Sequence, residues 1–414
     1  MGQAAAPAYL GDNFSNTAPG HRFSLYLPLW VRGPWTREAD KAANTKDGSP
    51  ATGKAPALRT VLGLGDYFAD LNRKLCERQA ALAAPMAAQG QLLTLHAVAV
   101  APFSTGLGNE HPLENGFAFL NPYGLPYLAG SGVKGVLRQA ARELAEHRWG
   151  DDQGWTDAAI TALFGRTAND SESETELQRG ALMFWDVLPQ MEGDALQIEV
   201  MTPHQSHYYQ KNGDSPHESG QPNPIHFLAV PPGSKFVFHV QCNLPLLQRL
   251  MPELAHSGRW QALLTAALTH AFQWLGFGAK TAVGYGAMVE DEAERKRRAQ
   301  QAEARRAEAA ALAHQLRLSQ MSPEQQEAET AHVWIDAFRV QLDQERKVAR
   351  YKPGSAFDQA RAEVMRRALA LQSETLRRQA AQALRESYKF TDWPGKKERK
   401  LEVKQWLTQL DGQA

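Results

Sequence analysis

The sequence predicts an α+β protein with a mixed core in the middle of the chain and an all-helical appendage at its end. Two observations point that way. Between residues 91 and 290, short runs of alternating apolar character interleave with amphipathic patterns at about 133–147 and 259–275. From Asp291 onward the composition turns to Ala, Arg, Glu and Gln at helical spacing, with few large apolar residues. Three regions follow: an N-terminal extension over 1–90, the mixed core over 91–290, and a helical extension over 291–414.

Residues 1–22 are small, polar and Gly/Pro-bearing, and are expected to be poorly ordered. Residues 22–32 alternate and read as a strand, with Pro28 favouring a sheet edge. A loop over 33–56 leads to one or two helices across 58–84, ending before Pro85. Strands are expected at 92–103, 181–187, 196–201, 226–230 and 234–244, with a last one reaching Val289. Helices are expected at 133–147, 156–164 and 259–275. With the insertions set aside, the order is β-α-β-β-α-β, the ferredoxin-like plan shared with the RNA recognition module. In the appendage, one helix spans 292–320. A second starts at Pro323 with anchors Val333, Trp334, Phe338, Val340 and Leu342, and a third covers 357–388. A basic stretch at Lys396–Lys400 then precedes Val403, Trp406 and Leu407.

Composition limits the function. The formal charge of the 414 residues is zero, yet 24 Lys and Arg face 19 Asp and Glu from Asp291 onward, leaving that part at +5 and the rest at −5. Nucleic-acid binding must therefore use local patches rather than a global field. Cys76 and Cys242, with no CxxC pair, exclude a disulfide scaffold and a cysteine-rich zinc module. No apolar run reaches transmembrane length and no signal peptide is visible, so a cytoplasmic protein is the expectation.

The stretch 125–142 carries the clearest chemistry. An apolar run reaches Ala129-Gly130-Ser131-Gly132, and a helix starts there with Lys134 and Arg138 four residues apart. A helix start offers unpaired N–H groups and partial positive charge, glycines admit an anion, and Ser131 can cap or donate. The expectation is a phosphate site. The literal match to G-x-G-x-x-G fails as a dinucleotide fingerprint, because no second strand follows the helix. No G-K-[ST] exists for a Walker loop.

A second glycine loop, 276–286, holds Gly276, Gly278, Gly284 and Gly286 around Lys280, Thr281 and Tyr285. It is expected to offer several main-chain N–H groups and to line one groove with the first. The insert 203–226 contains His204, His207, Tyr208 and Tyr209, and reads either as a solvated loop without a role or as a surface for stacking and hydrogen bonding on bases. Its spacing fits no standard metal site, and no metal or cofactor is expected. His111, Glu114 and Asn115 near Gly106 and Gly108 imitate an acid–base cluster without the convergent geometry that chemistry needs. Asp186 reads as structural.

Gly130-Ser-Gly-Val-Lys134-Gly-Val-Leu-Arg138 resembles the G-S-S-x-K-G-x-x-R signature of the RAMP proteins, the RNA-binding subunits of CRISPR effector complexes, and 276–286 resembles their C-terminal glycine-rich loop. The stretch 105–116, with Met201-Thr-Pro-His204 and Pro222-Asn-Pro-Ile225, resembles a RAMP subunit of the type III-B effector that lies towards the 3′ end of the guide RNA. The resemblance covers about 92–290. It implies a non-catalytic scaffold with guide RNA, target RNA and other RAMP subunits as partners. Gly130, Ser131, Gly132, Lys134 and Arg138 would contact RNA from the helix start, and Gly278, Lys280, Thr281 and Tyr285 from the loop. The insert 188–230 would supply a hairpin against the guide–target duplex. A metal-independent endoribonuclease that processes CRISPR transcripts is the alternative. The helical extension has no counterpart in this resemblance.

Overall fold

A computed structural model describes residues 2–42, 50–147, 154–166, 178–202, 224–256, 258–347, 355–390 and 397–410. The chain divides into two compact units, 1–297 and 298–414.

In the first unit the principal elements are α1 (Pro19–Ser24), α2 (Lys54–Arg59), α3 (Asp66–Ala88), β1 (Leu92–Ala99), α4 (Gly130–Ala145), α5 (Asp157–Phe164), β2 (Leu182–Phe184), β3 (Gln197–Met201), β4 (Ile225–Ala229), β5 (Lys235–Cys242), α6 (Arg259–His270) and β6 (Met288–Glu290). Four strands make an antiparallel sheet in the order β6-β1-β5-β2, with Leu95 opposite Phe238 at its centre. Strands β3 and β4 form a separate antiparallel hairpin, Glu199 facing Phe227.

The sheet and two helices bury a common core. Helix α4 hides Val133, Leu137, Ala140, Ala141 and Leu144, a stripe at three- and four-residue intervals, and packs on α6. Helix α6 buries Trp260, Leu263, Leu264, Ala267 and Leu268. From β5, Phe236, Phe238 and Val240 point into the same core, as period two requires, and the Phe238 ring lies 5.6 Å from Phe272 and 4.9 Å from Phe277. Each such burial contributes about 1.5–3 kcal/mol before entropy is counted. After α6 the helix widens into a π turn, Ala271–Leu275, and ends at Gly276 with φ 68°.

The N-terminal expectations need correcting. Residues 22–32 do not form a strand: Pro19 opens α1, a first-turn position where its missing N–H costs nothing, and only Trp30 bridges to Gln3 and Arg37. Of the stretch expected to be poorly ordered, the end is packed, with Pro19, Gly20 and Arg22 buried, whereas residues 2–17 are intermediate or exposed. The Arg22 guanidinium donates to Thr60 O at 2.6 Å and to Gly63 O, and burial lowers its pKa. Helix α3 does not stop before Pro85 but runs to Ala88. Ala81, whose carbonyl Pro85 cannot serve, is exposed, so water can satisfy it. On its inner side α3 reads the main chain after β2: Asn72 donates to Pro189 O and Gln79 to Asp186 O, both at 2.9 Å.

The second unit holds most of α7 (Glu292–Ser319), then α8 (Pro323–Arg346), α9 (Ala356–Ala370), α10 (Glu374–Phe390) and α11 (Lys397–Leu410). No residue of α7 is buried. A capping box between Ser322 and Gln325 starts α8. The anchors of α8 are Ile335, Phe338 and Leu342, whereas Val333 and Val340 are exposed, so those two expected anchors face the wrong way. The single helix expected over 357–388 is two helices, because the Glu327 carboxylate accepts from the N–H of Gln372 at 2.5 Å and of Ser373 at 3.0 Å. Arg361 sits 4.2 Å from the Tyr388 ring centre within this unit's own core.

Two glycines of α4 make opposite demands. A Cβ on Gly130 would lie 2.2 Å from Phe184 O, whereas one on Gly135 meets nothing within 4 Å. In chemical denaturation Gly130→Ala is expected to lose at least about 1–3 kcal/mol. Gly135→Ala is expected to gain about 0.5–1 kcal/mol. Equal effects would contradict this packing.

Candidate nucleic-acid interface

The start of α4 is fixed from both sides. Leu128 exchanges two main-chain hydrogen bonds with Val187, at 2.8 and 2.9 Å, which presses the incoming chain against the segment after β2. The N-cap is Ala129, with no side-chain cap, and its carbonyl accepts from Gly132 and Val133. Ser131 therefore does not cap the helix; it lies exposed in the first turn. Gly130 N–H donates to Asp186 Oδ1 at 2.7 Å. A protein carboxylate thus occupies part of the place expected for a phosphate, and its charge opposes a second anion there.

Nor do the two cations converge on the helix start. Arg138 reaches Gly165 O at 3.1 Å, tying α4 to the turn after α5. Lys134 is half-buried, and its pKa is lowered by desolvation first and by Arg138 second.

What gathers at the helix start is a cavity of about 340 Å³. Its walls are Thr105, Gly106, Leu107 and Gly108 on one side, Leu128, Ala129, Ser131, Gly132 and Val136 on another, and Gly278 and Ala279 on a third. The structure thus brings Ser131 and Gly132 together with Gly278. Glycine is needed at the junction: Gly278 has φ 91°, and a Cβ there would lie 2.2 Å from Ser104 O. Ala279 N–H donates to that same carbonyl at 2.7 Å, and the buried Ser104 hydroxyl donates to Leu228 O at 2.9 Å. The 105–108 loop, a third wall of this site, opens the 105–116 stretch that carried part of the sequence resemblance, but no role as a wall was legible in it.

The loop 276–286 offers fewer free N–H groups than its glycines suggested. Those of Gly276, Phe277, Ala279, Val283, Gly284, Tyr285 and Gly286 all go to main-chain carbonyls. Its side chains grip the β3–β4 hairpin instead. Lys280, at φ 60°, places Nζ 3.1 Å from Met201 Sδ and 5.3 Å from the Phe227 ring centre. Tyr285 donates to Glu199 Oε2 at 2.7 Å; burial first and then this carboxylate push its pKa to about 12. Thr281 begins a short 3-10 turn and its carbonyl accepts from Gly284. His204 and Tyr208 lie outside the described residues, as does the rest of the insert from 203 to 223.

The acid–base cluster has structural duties. His111 stacks on Phe23 at 3.8 Å, donates from Nε2 to Phe23 O at 3.0 Å, and accepts at Nδ1 from Leu113 N–H. Lys54 Nζ lies 2.8 Å from Glu114 Oε1. Among the described residues no three of His, Cys, Asp and Glu gather as a metal site. No described helix is long and apolar enough to cross a membrane.

Residues 28–289 match the model of the RAMP superfamily, so the chain belongs to that superfamily. The match takes in the sheet, both glycine loops and the cavity. The CRISPR system Cmr subunit Cmr6 of Pyrococcus furiosus is 28% identical over 230 residues, 45% of this chain; the chain spans 64% of that relative's length. Among solved structures, a chain of the type III-B Cmr-beta complex bound to cognate target RNA is similar with TM-score 0.38 and 17% identity, over 57% of this chain and 69% of that one. The crystal structure of Cmr6 from Pyrococcus furiosus is similar with TM-score 0.26 and 23% identity, over 48% and 98%.

Burial lowers the His111 pKa. The unfolded chain then binds a proton more readily than the folded one, so this contribution is complete above the unfolded value and is lost as pH falls through the folded one. Melting temperature is expected to fall between about pH 6.5 and more acid conditions. His111→Gln, which does not titrate, is expected to flatten that part of the slope. An unchanged slope would refute the assignment.

Proposed function

We propose that this chain is a non-catalytic RNA-binding subunit of a type III-B CRISPR ribonucleoprotein, holding guide RNA near its 3′ end and helping to assemble the complex on target RNA in the cytoplasm. The observation that carries the reading is the convergence of three glycine-bearing segments on one cavity within the region matched to the RAMP superfamily. Glycine-rich walls let a nucleic-acid chain approach the protein backbone closely. The similarity to a Cmr subunit supports the choice of effector type. The order β6-β1-β5-β2, with a helix after the first and third of these strands in sequence, supports assigning residues 91–290 to the ferredoxin-like plan. The non-catalytic assignment is supported by the engagement of His111, Glu114 and Asp186 in packing, pairing and capping.

In this reading the β3–β4 hairpin lies against the guide–target duplex, braced by Lys280 and Tyr285, and the other RAMP subunits are its protein partners. Lys134 supplies a phosphate contact outside the cavity, while Arg138 acts by holding α4 to α5.

The test is expression of the tagged chain with its companion subunits and a CRISPR array, followed by sequencing of the RNA that copurifies. Short guides of one register are expected. Lys134→Glu is expected to weaken RNA binding and to flatten its log–log salt dependence by about 0.7, the loss of one phosphate contact. Site-specific cleavage of repeat RNA by the isolated protein would establish the endoribonuclease reading instead.

A further inference from the structure

We propose that the cavity at the start of α4 receives one unstacked base of the bound RNA, and not a phosphate. This rests on the reading that the chain holds guide RNA and names which part of the RNA the cavity takes.

Three observations exclude an anion as the best occupant. The carboxylate of Asp186 already accepts the first N–H of the helix, so the positive end of α4 is compensated by the protein itself. Among the described residues no Lys or Arg lines the cavity. Lys134, half-buried on α4, is not one of its walls. Arg138 is bonded instead to Gly165 O.

The walls suit a neutral, flat group. Leu107, Leu128 and Val136 provide apolar surface, while the Ser131 and Thr105 hydroxyls can each donate and accept at a ring edge. A volume of about 340 Å³ falls at the low end of the roughly 300–1,000 Å³ of small-molecule sites. Of the three parts of a nucleotide, only the base combines an apolar face with polar edges, and unstacked bases are what proteins read on single-stranded RNA.

The experiment is a walk of single 2-aminopurine substitutions along the guide in the assembled complex, because this base brightens when unstacked. One position is expected to brighten several-fold. Gly108→Phe and Gly132→Leu fill the cavity from opposite walls; a Cβ at Gly108 meets nothing within 4 Å, and one at Gly132 meets only Leu128 Cδ1 at 3.3 Å. Either variant is expected to abolish the brightening while the guide is retained. As a check that needs no variant, an abasic nucleotide at the bright position is expected to weaken guide binding by about tenfold. If the wild-type complex holds its guide but no position brightens, or if brightening survives both fillings, the base pocket is wrong and the functional reading stands. If the wild-type complex holds no guide, the functional reading fails and takes this inference with it.

Discussion

The packing of Gly130 against β2 is the contact on which the rest of the site depends. With no side chain, the first residue of α4 lies directly on the Phe184 carbonyl, and its N–H meets the Asp186 carboxylate. That contact sets where α4 begins, and so which faces of its first turn look toward the loops at 105–108 and 276–286. A side chain at this position would lift the helix off the sheet and open the cavity. Asp186 has a double consequence: it satisfies a main-chain donor that burial would otherwise leave costly, and it removes the helix start from the list of good anion sites.

The same logic of backbone against backbone recurs at the second loop. Gly278 lies on the Ser104 carbonyl, and a Cβ on Gly286 would lie 1.8 Å from Phe277 O. The loop is thus a closed, internally bonded knot whose side chains work outward, Lys280 and Tyr285 on the strands of the β3–β4 hairpin. Glycine richness in this protein serves close packing as much as ligand approach.

Much of this was legible in the sequence, and the failures share a cause. Strands such as β1 and β5 and helices such as α4 and α6 carry their period in consecutive residues, so a local reading finds them. The capping box at Ser322 and Gln325 is equally local. Helix α1 depends on Arg22 reaching Thr60 and Gly63, and the break between α9 and α10 on Glu327, 45 residues away in sequence. The glycine loops could be recognised as a site, but the loss of their N–H groups to Asp186, Ser104 and neighbouring carbonyls could not, because those partners arrive only with the fold. The exposed Val333 and Val340 show the complementary case: their size suggests anchors, but the helical phase of Ile335, Phe338 and Leu342 excludes them.

Ultraviolet crosslinking of the guide-loaded complex, with the crosslinked peptides read by mass spectrometry, addresses the central claim most directly. The account predicts crosslinks on peptides that contain Thr105, Ser131 and Gly278, the three walls of the cavity. Crosslinks found only within residues 298–414, with the cavity peptides unmodified, would contradict it and move the RNA-binding surface to the helical unit.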